Sequence, residues 1–67
     1  IDFILEKEWK IIPIEVKISN KDVFPKIFFS FEKEYKEKID YFIKTTKFFS
    51  WKRKLEEKDV YFESFLN

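Results

Sequence analysis

Glu15 and Lys17 stand two apart in the run IIPIEVKIS, residues 11–19. On an extended strand that spacing puts both side chains on one face, about 7 Å apart along the chain. If the chain before them folds back through a hairpin near residues 7–9, Asp2 lands roughly opposite Glu15. Two carboxylates and an ammonium then converge. Carboxylates are hard oxygen ligands, and one or two of them with waters and a phosphate make a typical Mg²⁺ site, which Mn²⁺ also fits. The lysine would stabilise charge developing on a phosphate, or help orient and deprotonate a metal-bound water. The plainer reading is a Glu and a Lys on an exposed strand face, a pairing worth about 0–1 kcal/mol.

Composition narrows the chemistry further. The 67 residues contain no Cys, His or Gly. Without Cys there is no disulfide and no thiolate nucleophile. Without His the commonest general base and transition-metal ligand is missing. Without Gly the phosphate-cradling loops of nucleotide-binding motifs are excluded. Lys and Arg number 14 against 13 Asp and Glu, so net charge alone does not point to nucleic acid. No apolar run approaches the roughly 18 residues of a membrane span, and no signal peptide is visible. A cytoplasmic protein without a membrane partner is the expectation. A single domain this small buries only about 60% of its unfolded surface. Ten Phe, three Tyr and two Trp supply the bulk it needs.

The elements that must position the three residues follow from periodicity. Residues 1–5, IDFIL, alternate, with Ile1, Phe3 and Leu5 on one face and Asp2 and Ile4 on the other. Residues 6–10 read as a turn without an Asn-Gly signal. In the second strand, Ile12, Ile14, Val16 and Ile18 share one face, and Ile11, Pro13, Glu15 and Lys17 the other. The first set is expected to pack on a helix. Pro13 cannot donate to a ladder and belongs where its nitrogen is unpaired. Phe24, Ile27, Phe28, Phe31 and Tyr35 recur at spacings of three and four, a helical stripe over about 24–36. Pro25 suits its first turn, Asn20 or Asp22 its cap, and Glu32 with Lys36 its wet side. Residues 39–44, IDYFIK, read as a third strand. Residues 45–58 are ambiguous between a short helix over 51–57, capped by Ser50, and a long loop. DVYFESFL, from residue 59, closes the chain as a strand. The fold class is α/β or α+β: a small mixed sheet covered by one main helix, in the order β-β-α-β-β, with the strands flanking the helix parallel.

An Asp on one strand, Glu-x-Lys on the next, then a helix and a strand, resembles the PD-(D/E)xK superfamily of restriction-endonuclease-like folds. The wording is more specific. IDF, IIPIEVK and SFEKEYK resemble phrases of the C-terminal domain found on many archaeal and bacterial AAA-type ATPases. The resemblance is strong over the first half of the chain and loose beyond it. It implies metal binding by Asp2, Glu15 and the Val16 carbonyl, with Lys17 as the third catalytic member, Mg²⁺ or Mn²⁺ as the ion, and DNA and an ATPase domain as partners. Ile18-Ser19-Asn20 stands where that family usually places a Gly. The superfamily core has a helix and a strand before the acidic strand, so the resemblance implies a partial nuclease-like domain over residues 1–67, inactive as an isolated piece. The alternatives are a catalytically idle protein-interaction module and a structural remnant.

Phe48, Phe49 and Trp51 lie beside Lys47, Lys52, Arg53 and Lys54. Aromatics interleaved with cations can grip a single strand or a phosphate backbone, which makes these four cations the candidate nucleic-acid contacts. The same composition also fits a loop with tucked aromatics and solvated lysines, or a surface that docks a larger protein.

Overall fold

The alternating run FILEK and the isoleucine-rich run KIIPIE flank a two-residue turn, and they pair as a hairpin of β1 (Phe3–Lys7) and β2 (Lys10–Glu15). The computed structural model describes residues 1–17, 21 and 23–64. Among the described residues a single helix, α1 (Lys26–Tyr35), follows, and then β3 (Phe42–Thr46), β4 (Trp51–Leu55) and β5 (Lys58–Ser64). The five strands form one mixed sheet in the order β1-β2-β3-β5-β4. The two hairpins are antiparallel, and β3 runs parallel to both β2 and β5. The architecture is α+β with one more strand than the periodicity implies.

The extra strand is β4, over the segment read as a short helix or a loop. Its register with β5 runs from Trp51↔Phe62 to Leu55↔Lys58. Leu55 then falls on the helix side and joins the core. Lys54 meets Asp59 across the ladder at 2.9 Å. Pairing with β5 overrides the good helix propensity of Lys, Arg, Leu and Glu here.

The core lies between α1 and one face of the sheet. Phe28, Ile39, Phe42, Leu55, Val60 and Phe62 are buried there, with Ile11, Phe24, Ile27, Phe31 and Phe49 packed around them. The Phe28 and Phe42 rings meet at 4.5 Å between centroids, and Phe24 stacks on Phe62 at 6.0 Å. Alternation assigns the rest. Ile11, Pro13 and Glu15 face the helix, as do Phe42, Lys44 and Thr46. This reverses the expected face of β2. Ile12 and Ile14 point to the other side of the sheet, Val16 is exposed, and Ile18 lies outside the described residues. Both rows of β2 are apolar enough to be covered, so alternation alone does not choose between them.

Pro13 sits where its missing N–H explains a break. Ile11 bridges Ile39 in parallel, and pairing resumes only at Ile14↔Ile43, one residue out of step. The third strand therefore starts at Phe42, later than the expected 39–44. The helix is also shorter than expected. Pro25 is its N-cap, at φ −59° and ψ 141°, with no side-chain cap. Asn20 and Asp22 lie outside the described residues. Glu32 is not on the wet side. It is buried, and its Oε1 lies 3.4 Å from Lys58 Nζ, which also donates to the Lys36 carbonyl. No helix among the described residues is long and apolar enough to cross a membrane.

Candidate functional site

β2 ends at Glu15, which pairs with Lys44 in the last step of the parallel ladder with β3. Because its row faces the helix, Glu15 keeps only 13% of its side-chain surface exposed. Its Oε2 lies 3.2 Å from Lys17 Nζ, and its Oε1 lies 3.6 Å from the Ile1 nitrogen. Lys17 itself remains half exposed. The pair is thus a sheltered carboxylate with a cation reaching from it into solvent, rather than two solvated side chains.

Asp2 sits just before β1, and the hairpin register Phe3↔Ile14 carries it alongside the end of β2. Its N–H donates to the Ile14 carbonyl at 3.0 Å, and its Oδ2 accepts the Val16 N–H at 2.8 Å. Asp2, Glu15, Val16 and Lys17 therefore meet at one corner of the sheet. The Asp2 carboxylate reaches the site through the backbone between Glu15 and Lys17. A carboxylate that accepts one N–H still has lone pairs for a cation.

The donors at this corner are two carboxylates and a backbone carbonyl. Among the described residues, no group of three or more His, Cys, Asp and Glu side chains is placed to hold a metal. A cation held by protein side chains alone is not offered here. Carboxylate and carbonyl oxygens are the donor type of a hard divalent ion that keeps waters and takes a phosphate oxygen, the usual manner of Mg²⁺. Binding would have to compete with the contact between Lys17 and Glu15.

Two residues of this corner escaped the sequence reading. Thr45 Oγ1 accepts the Lys17 N–H at 2.8 Å and donates to the Lys17 carbonyl at 3.2 Å. Lys44 is buried on the helix side, donating to the Lys21 carbonyl at 3.1 Å and the Val23 carbonyl at 2.7 Å, with the Phe62 ring 5.6 Å away. Its only trace in the sequence is a charge on the same row as Phe42, inside an aromatic strand. Nothing in the local sequence marks Thr45.

The basic segment does not gather on one surface. Strand alternation places Lys52 and Lys54 on one face of β4 and Arg53 on the other. Lys54 is paired with Asp59, whose carboxyl is held below its ordinary value by the hydrogen bond from Lys54. Burial opposes that shift, and the charges of Lys54 and Lys52 add to it. Arg53 lies 4.6 Å from the centre of the Phe24 ring, and Lys47 lies 5.2 Å from that of Phe48. Phe48 and Trp51 are exposed, while Phe49 packs on Phe62. A depression of about 510 Å³ lined by Phe29, Glu32, Lys33, Lys36, Leu55 and Glu56 lies near the start of β5, at the other end of the parallel strands from Glu15.

Compared with protein-family models, curated proteins and solved structures, the chain matches none.

Proposed function

We propose that the chain is a nuclease-like domain of the PD-(D/E)xK kind from an ATPase-linked protein, holding a divalent metal at Asp2, Glu15 and the Val16 carbonyl and contacting DNA. The observation that carries this reading is the meeting of Asp2, Glu15 and Lys17 around Val16, with Asp2 Oδ2 at 2.8 Å from Val16 N and Lys17 Nζ at 3.2 Å from Glu15 Oε2. It is supported by the helical crossover from β2 to the parallel β3, which places that corner at the carboxyl ends of parallel strands.

Asp2 and Glu15 would hold Mg²⁺ or Mn²⁺, which supplies Lewis-acid stabilisation of charge on a phosphate oxygen. Lys17 has the reach and exposure to leave Glu15 and donate to the same phosphate. Lys52 is the cation best disposed for more distant backbone phosphates, and Lys47 would first have to leave the Phe48 ring. Lys54 and Arg53 would first have to leave Asp59 and Phe24.

The test is calorimetric titration of the chain with Mn²⁺, with thermal melts alongside. Binding confined to the folded state raises the melting temperature by linkage. The parent should respond to millimolar Mn²⁺, and Glu15→Gln should respond less or not at all. A response that survives Glu15→Gln unchanged would sink the site. A second reading then leads, that of an idle interaction module. Its support is the sheet face opposite α1, where Phe3, Leu5, Ile14, Tyr41, Ile43 and Tyr61 share one side and no helix lies among the described residues.

A further inference from the structure

The parallel ladder between β2 and β3 stops at Glu15↔Lys44, yet the next two residues stay attached to the sheet. Two side chains take over from backbone pairing. Asp2 Oδ2 receives the Val16 N–H on the β1 side. On the β3 side the Thr45 hydroxyl takes both polar groups of the Lys17 backbone, accepting its N–H at 2.8 Å and donating to its carbonyl at 3.2 Å. One hydroxyl can do both, because it carries one donor and two lone pairs.

We infer that Thr45 is a positioning residue of the Asp2–Glu15–Lys17 corner, a splint that keeps Lys17 extended after the ladder has ended. With its N–H and carbonyl both held, Lys17 presents its ammonium to Glu15, and the Val16 carbonyl before it is fixed in direction. The support for the splint is itself rigid. Thr45 is paired through its backbone with Glu63 of β5, and a β-branched side chain has restricted χ1 freedom. Lys44, the residue before Thr45, donates on the helix side to the carbonyls of Lys21 and Val23. The purpose assigned to the splint rests on the proposed metal site, but its existence does not.

Two variants separate these claims. Thr45→Val removes the hydroxyl at nearly constant volume, and Thr45→Ser keeps it. The measurements are the exchange rate of the Lys17 amide proton by NMR and the calorimetric affinity for Mn²⁺, both on the full chain. Thr45→Val should speed Lys17 exchange and weaken Mn²⁺ binding, each by about two- to tenfold, the range one hydrogen bond spans. Thr45→Ser should restore both. Faster exchange at Phe42 and Phe62 with Lys17 exchange unchanged would reduce Thr45 to a general stabiliser and overturn the inference. Unchanged Lys17 exchange in Thr45→Val also overturns it. So does faster exchange with Mn²⁺ affinity intact. If the parent binds no Mn²⁺ while Lys17 exchange still depends on the hydroxyl, the metal reading falls and the splint stands.

Discussion

Glu15 and Asp59 are both acids beside a lysine, and their positions in the sheet give them different chemistry. Glu15 ends a central strand on the covered face, so its pairing with Lys17 is sheltered on one side. Asp59 lies on β5 opposite Lys54 of the edge strand β4, with 29% of its side-chain surface exposed. Its carboxyl sits below the ordinary 3.8 because Lys54 donates to its charged form. A folded-state value below the unfolded one contributes stability above the unfolded value, and that contribution is lost as pH falls through the folded value. Melting temperatures of parent and Asp59→Asn should therefore differ at pH 6 and converge as pH drops below the ordinary carboxylate range. A gap of the same size at pH 6 and pH 2 would show that the Lys54 pair is not its source.

The hairpins ask more of their turns than the residues there readily give. Glu8 has φ of 60° and Glu56 φ of 55°, both left-handed, in a chain with no Gly to accept that conformation. A left-handed residue other than Gly costs roughly 1–2 kcal/mol. Gly would relieve this and give back about 0.5–1 kcal/mol in unfolded-state entropy. Glu56→Gly should thus stabilise the chain by up to about 1 kcal/mol in urea unfolding at constant m. A loss of stability would mean that the Glu56 side chain makes contacts worth more than the backbone relief. The same turn explains why 51–55 is a strand. Residues 56 and 57 reverse the chain, and β4 then lies against β5 with Leu55 in the core.

Among the described residues, the main core cluster lies between α1 and one face of the sheet, and Ile12 is buried on the other face. At roughly 0.05–0.15 kcal/mol per residue, a chain of this length has about 3–10 kcal/mol of stability to lose. Phe28 is wholly buried at the centre of that core, whereas Phe31 of the same helical stripe is only half-buried. Phe28→Ala should cost about 3–5 kcal/mol, enough to unfold much of the population, and Phe31→Ala should cost less. Urea melts rank the two, and the reverse order would mean the helix is turned on the sheet. Amide exchange should be slowest in β3 and β5, the paired centre of the sheet, and fastest in β1, a strand with one neighbour and five exposed residues.

Local chemistry made much of this legible from the residues alone. The period of three and four placed one helix on Phe24 to Tyr35, and the period of two placed strands on either side of it. The hairpin between them set Asp2 beside Glu15, because turn length dictates register. These are short-range facts, carried by neighbours along the chain. The choice of face for β2, the strand at 51–55, the burial of Glu32 and Lys44, and the grip of Thr45 on Lys17 belong to pairings between distant segments. Each depends on which strand lies next to which, and at what step. A one-residue shift in a ladder exchanges the covered and uncovered rows, and two apolar rows leave no mark in the sequence of which will be covered. Only the docking of α1 on the Ile11–Pro13–Glu15 side decided that Glu15 would be sheltered, and only the end of the β2–β3 ladder decided that Thr45 would hold Lys17 in place.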